Sequence, residues 1–240
     1  ANMPVHEDNT VANPVFIWNT AHLAEGLATT LVEPDRYVLT VDDDPNFTSP
    51  NLSLETTGLA AAPTLEHPLS GVSDGMVLYW RIQAYREAQR IGADVIWRMR
   101  YDGSLEQIAS TATLKPTFPR DRMEYVDAPP VLGWQPVHGA DHYRVQVSRT
   151  PDFAQIIDEA RPQFVYYVPW QGRLTTMPAG TYWWRARAEN VTNSPVGDWS
   201  ESRQFNLSTY VVWSNPFEFL PPTNILSQTT GYDPAVTFIG

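Results

Sequence analysis

Two stretches of the chain alternate apolar and polar residues in the same phase and end on the same punctuation. Tyr143, Val145 and Val147 alternate with Arg144, Gln146 and Ser148, and Tyr37, Leu39 and Val41 repeat the pattern. A period of two is that of a strand with one face in a core. Each run then meets a Pro, an Asn or Asp and a Phe, in Pro45-Asn46-Phe47 and Pro151-Asp152-Phe153. Pro fixes φ and the Asx side chain bonds nearby backbone, so a tight turn is expected there, after which the Phe re-enters the core. Further on, Tyr182, Trp184, Ala186 and Ala188 are predicted to point inward and Trp183, Arg185 and Arg187 outward; Leu78, Trp80, Ile82 and Ala84 form the matching inward set.

Val95, Trp97, Met99 and Tyr101 predict a last strand for the first half, as Trp199, Arg203 and Phe205 do for the second. The run Arg86-Glu-Ala-Gln-Arg90 has helical propensity but is too short to hold a helix, so a hairpin extension is expected. Gly71, Ser73-Asp-Gly75, His138-Gly-Ala140, Pro178-Ala-Gly180 and Ser194-Pro-Val-Gly197 punctuate the strands. Several short strands so spaced indicate an all-β antiparallel sandwich.

The alternation is also a repetition. From Tyr37 and from Tyr143 the chain reads Tyr-x-aliphatic-x-Val-x-x-x-Pro-Asn/Asp-Phe without a gap. A Pro-Val-x-x-Trp element lies upstream of each, Pro14 to Trp18 and Pro130 to Trp134, and an Arg-bearing aromatic strand downstream, Trp80 to Ala84 and Trp184 to Ala188. Two copies of one β-domain in tandem are predicted, over 1–110 and 111–209, with a tail over 210–240. A scaffold repeated without a repeated set of reactive side chains speaks for building and binding, and against turnover.

Length and composition agree with this. At 240 residues the chain suits two domains of roughly 100 residues, each able to bury a core. Net charge of −11 argues against a nucleic-acid partner, whose binding needs clustered Lys and Arg. A single Lys, Lys115, limits Lys-based isopeptide crosslinks to one. With no Cys there are no disulfides, thiolate metal sites or Cys nucleophiles, and cysteine is silent on location. No run reaches the roughly 18 apolar residues of a transmembrane segment, and the start at Ala1 reads like a processed N-terminus.

Candidate chemistry is sparse. Asp42, Asp43 and Asp44 put three carboxylates in one turn, a candidate Ca²⁺ ligand set, but the spaced ligand loop with a distal Glu is missing and a solvated acidic turn accounts for them better. His138 and His142 are four apart but cannot share a helix face, so a metal role is disfavoured. No nucleophile elbow, phosphate-cradling loop or paired-carboxylate cleft is indicated, and the expectation is a protein that is not an enzyme and needs no cofactor. Sequons occur at Asn46, Asn51, Asn190 and Asn206, candidate glycosylation sites if the protein is exported, with coincidence as the alternative. Trp183 and Tyr79, with Tyr166, Tyr167 and Trp170, offer a candidate sugar-stacking platform.

The second copy, with Trp134, Tyr143, Leu174, Pro178-Ala-Gly-Thr-Tyr182-Trp-Trp-Arg-Ala-Arg-Ala188 and Trp199-Ser, resembles the bacterial branch of the fibronectin type III family, found in extracellular multidomain proteins. The likeness covers about 116–208 well and 1–108 more loosely. It implies a corner hydrogen bond from Tyr182 to backbone, where the first copy has Leu78. Trp199 between Arg185 and Arg187 is similar to the Trp/Arg ladder of cytokine-receptor members of this superfamily, which implies a structural role.

The segment from Leu220 reads as the opening of a third copy, because Pro234-Ala-Val-Thr-Phe238 is similar to Pro14-Val-Phe-Ile-Trp18, while the first copy's opening strand is expected to be short or missing. Unpaired strand edges seek partners. The tail, with Val236, Phe238 and Ile239, is therefore expected to add in trans to another copy of the chain, the alternative being a piece of a longer chain. The resulting reading is an extracellular or cell-surface structural protein that forms a head-to-tail filament, sheath or surface layer. A spacer or weak carbohydrate-binding module of a secreted glycan-degrading enzyme, or an adhesin stalk, is the alternative, and a cell-surface glycan the alternative partner.

Overall fold

The computed structural model describes residues 6–18, 23–24, 31–32, 34–105, 114–126 and 128–209. In chain order the first half carries β1 (His6–Val11), β2 (Phe16–Ile17), β3 (Leu23–Ala24), β4 (Leu31–Val32), β5 (Arg36–Asp42), β6 (Leu52–Thr56), β7 (Ala60–Ala61), β8 (Val77–Arg86) and β9 (Gln89–Tyr101). The second half carries β10 (Pro116–Phe118), β11 (Met123–Val126), β12 (Leu132–Trp134), β13 (His142–Ser148), β14 (Ile156–Ala160), β15 (Tyr166–Tyr167), β16 (Gly180–Glu189), β17 (Pro195–Val196) and β18 (Arg203–Ser208). The chain is all-β, as the alternation demands.

The two larger sheets follow one plan. Their strand orders are β1-β9-β8-β5-β6 and β11-β18-β16-β13-β14, with β17 added on β16. The central pairs are antiparallel in the same register, Tyr37 facing Ala84 and Val41 facing Trp80 in one, Tyr143 facing Ala188 and Val147 facing Trp184 in the other. Each is closed at one edge by a parallel strand, β1 on β9 and β11 on β18. Smaller sheets, β2-β7 and β10-β12-β15, supply the other layer.

The inward faces form two separate clusters. Trp18, Tyr37, Leu39, Leu78 and Trp80 belong to the first, and Trp134, Tyr143, Val145, Tyr182 and Trp184 to the second. In each, the Trp at the end of the small-sheet segment meets the Tyr of the large sheet, Trp18 tilted against Tyr37 at 5.8 Å and 60°, Trp134 edge-on to Tyr143 at 5.4 Å and 62°. Burying side chains of this size contributes about 1.5–3 kcal/mol apiece, which is what pins the strand phase. The Tyr182 hydroxyl donates to the Pro178 carbonyl, the corner expected from the resemblance.

Three expectations need correction. The first half does have an opening edge strand: β1 lies parallel to β9 although His6–Val11 shows no apolar alternation, because an edge strand held by backbone pairing needs none. Phe47 and Phe153 are buried, as expected, but they join neither core cluster. The turns form, with Phe47 N donating to Asp44 O and Phe153 N to Thr150 O, but both Phe adopt positive φ, 56° and 59°, and are roofed by Arg81 and Arg185 outside either core cluster. Trp199 precedes the last strand, which starts at Arg203. The Arg86–Arg90 stretch is a hairpin, as expected, turning at Glu87 with φ 55°.

Candidate functional site

The two halves meet along a junction built from loops. Residues 62–69 of the first half lie against 161–164 and 171–172 of the second, and the Thr57 hydroxyl donates to Thr175 O. Thr64 and Pro162 form an antiparallel bridge, flanked by Leu65 N donating to Arg161 O at 2.8 Å and Gln163 N donating to Pro63 O at 3.1 Å. Two glutamines extend this pairing with their side chains. Gln171 Oε1 accepts from Ala62 N at 2.9 Å while its Nε2 donates to Ala62 O at 2.7 Å; Gln163 treats Leu69 alike, at 2.9 and 3.2 Å. A side-chain amide carries the donor and acceptor of a peptide, so each glutamine stands in for a strand neighbour and satisfies loop backbone that would otherwise be orphaned. Phe164, from the second half, packs on the first core with its ring 6.1 Å from that of Tyr101.

Asp158 on β14 presents this junction. Its buried carboxylate accepts from the Tyr167 hydroxyl at 2.7 Å, Trp170 N at 2.9 Å and Arg173 Nη2 at 3.2 Å, fixing the loop that carries Gln171. Burial, then the Asp158 charge, pushes the Tyr167 hydroxyl well above its ordinary value and keeps it a donor.

A second polar network lies alongside. Glu189, fully buried, accepts from Arg187 Nη2 at 2.8 Å and Arg161 Nε at 3.3 Å, with His142 Nε2 at 3.5 Å. A buried charge survives only when surrounded by partners, and these come from two strands, β13 and β16, and the junction loop. Arg161 thus grips Glu189 with its side chain and the first half with its carbonyl. Glu159, on the outer face, is drawn upward by burial, but bonds from Arg144 and Gln146 outweigh this and hold its carboxyl below the ordinary value.

Trp199, Arg185 and Arg187 come together on the outer face of the second large sheet. The guanidiniums of Arg185 and Arg187 lie 4.4 and 4.6 Å from the Trp199 ring centre, and Arg185 also covers Phe153 at 4.0 Å. Gln146 Oε1 accepts from both Nε and Nη2 of Arg185 and fixes its plane. Burial, then the neighbouring Arg187 charge, lowers the Arg185 value.

The other expected sites are dispersed. Asp42 is buried and its carboxylate accepts from Asp44 N at 3.0 Å and Ser49 N at 3.0 Å, while Asp44 accepts from Asn46 and Thr48 and is lowered by those bonds; Asp43 is exposed. The oxygens serve the turn, and among the described residues no three metal-ligating side chains converge. His142 is buried between Asp141 and Glu189 and His138 is exposed. Of the residues of the expected aromatic platform, Tyr167 is in the core, Tyr166 stacks on Phe118 at 6.2 Å, Trp170 is covered by Arg173 at 4.0 Å, and Trp183 and Tyr79 are partly buried. Asn46, Asn51, Asn190 and Asn206 are all described; Val236, Phe238 and Ile239 lie outside the described residues. No described helix is long and apolar enough to cross a membrane.

Sequence reasoning missed Gln163, Gln171 and Phe164, because their partners sit in the other half and leave no local period. Glu189 did leave a signal: Arg185, Arg187 and Glu189 are two apart along one strand face.

No protein-family model matches the chain, and no curated protein sequence does. Among solved structures it is similar to the FN1–FN3 domains of chicken CNTN1, at 10% identity over 84% of this chain and 69% of that one, with a TM-score of 0.31. It is similar to the fibronectin(III)-like modules of Clostridium thermocellum CbhA at 11% identity, covering 86% and 92%, with a TM-score of 0.29. The cadherin-like domains 1 to 4 of zebrafish RET align at 8% identity over 73% and 41%, with a TM-score of 0.18.

Proposed function

We propose that this chain is a non-catalytic structural protein of the cell surface, a two-sandwich building block that assembles head to tail by strand addition into a filament, sheath or surface layer. The observation that carries the structural reading is the junction. Two β-sandwiches whose loops are paired backbone to backbone, and clamped by Gln163 and Gln171, resist bending where a plain linker would yield. A rod of that kind transmits load and fixes spacing, the properties a polymer subunit needs.

Support for strand addition comes from comparing the small sheets. Outside β12 lies β10, whose Phe118 fits over Gly133 so closely that a Cβ there would stand 2.5 Å from the ring. Outside β2 no strand lies among the described residues, and Ile17, at the position corresponding to Gly133, is 39% exposed. A strand added beside β2 pairs its free backbone groups, and the tail residues Val236, Phe238 and Ile239 are the proposed donors. A spacer in a secreted glycan-degrading enzyme, or an adhesin stalk, would use the same stiff junction without self-association. Electron microscopy and sedimentation of the full chain, beside a chain ended at Ser208, separate these. Concentration-dependent oligomers from the full chain alone support assembly; monomers at every concentration, with retention on insoluble polysaccharide, would transfer the proposal to the spacer.

A further inference from the structure

We infer that Asn190 is the acceptor of an N-linked glycan and that the fold singles it out among the four sequons. Asn190 Oδ1 accepts three hydrogen bonds, from Thr192 N at 3.0 Å, Thr192 Oγ1 at 2.8 Å and Ser194 N at 2.9 Å. Donors converging on the amide oxygen draw electron density from the nitrogen and make its proton easier to remove. The nitrogen itself donates to no described residue, and the turn that holds it stands clear of the sheet, with Val191 75% exposed.

The other three sequons lack this arrangement. Asn46 Nδ2 donates to Asp44 Oδ1, and the Thr48 hydroxyl is drawn to Asp44 as well. Asn51 spends both ends of its amide, accepting from Asp43 N and donating to Ser70 O. Asn206 lies within β18 between two paired strands, its oxygen taken by Thr181 and the hydroxyl of Ser208 donated to Tyr125 O. Only at Asn190 does the hydroxyl two residues on bond the amide of its own sequon.

The reaction needs a sugar joined through its anomeric oxygen to a lipid diphosphate, and a transferase. Asn190 Nδ2 attacks the anomeric carbon; the C–N bond forms, the C–O bond to phosphate breaks, the lipid diphosphate leaves with the electron pair, and the amide proton passes to a base of the transferase. In the cell this encounter rests on the cell-surface reading, but the geometry does not. Purified folded protein, and the same protein in urea compatible with the transferase, are each given a single-subunit oligosaccharyltransferase and a lipid-linked oligosaccharide, and the products are mapped by peptide mass. The expected result is transfer to Asn190 alone in the folded protein, to several sequons in the unfolded chain, and to none in folded Asn190→Gln. Transfer at Asn46, Asn51 or Asn206 of the folded protein, or none to it under conditions that modify the unfolded chain, would overturn the inference.

Discussion

Gln171 holds Ala62 by both of its main-chain polar groups, accepting from its N–H at 2.9 Å and donating to its carbonyl at 2.7 Å across the boundary between the two sandwiches. The residues are 109 apart in sequence. Nothing local links them, and the contact exists because Asp158 fixes the loop that presents the glutamine.

Removing the clamp leaves two buried-edge peptide groups unpaired at each site, so Gln171→Ala and Gln163→Ala are each expected to cost about 1–3 kcal/mol. The double variant should melt in two calorimetric steps, the sandwiches having lost their coupling. A single transition at the unchanged temperature would show that the clamps hold nothing.

Trp199→Ala empties the space between Arg185 and Arg187. The two stacks together are worth about 1–2 kcal/mol, and Trp199→Phe should keep part of that. Urea unfolding followed by far-ultraviolet circular dichroism measures both, and equal midpoints for all three proteins would remove the ladder from the account of stability.

Asp42 and Ser148 occupy corresponding turns, each side chain accepting from the backbone N–H two residues on, at 3.0 and 3.1 Å. Asp42→Ser should therefore cost less than Asp42→Ala, which strands buried donors at about 1–3 kcal/mol. Calcium should leave the melting temperature of the wild type unchanged; a calcium-dependent rise that Asp43→Asn abolishes would restore the metal reading.

Glu159 binds its proton less readily folded than unfolded, because Arg144 and Gln146 bond its charged form. Its contribution is present above the ordinary carboxylate value and is lost as pH falls through the lower, folded one. Stability measured across acid pH should fall more steeply in the wild type than in Glu159→Gln. Parallel profiles would contradict it.

Tyr182→Phe deletes the corner bond to Pro178 and should cost about 1 kcal/mol. Equilibrium unfolding reads this directly, and a variant as stable as the wild type would mean that water replaces the bond without loss.

Much of this molecule was legible from alternation. Tyr143, Val145 and Val147 face inward because a strand beside a core permits only one phase, and the same rule placed Tyr37, Leu39 and Val41. The turns at Pro45 and Pro151 were legible because Pro and Asx act on their own backbone. The place of Phe47 and Phe153 outside the two core clusters was not, since each has a positive φ and is buried under an Arg of the neighbouring strand.

What the sequence determined by itself is the all-β class, the phase of each central strand and the position of its turns, because these follow from side chains acting on neighbours within a few residues. The tertiary structure decided which polar groups meet: Gln171 with Ala62, Arg161 with Glu189, Trp199 with two arginines. Such pairings depend on where distant loops arrive in space, and a hydrogen bond leaves no periodic trace along the chain.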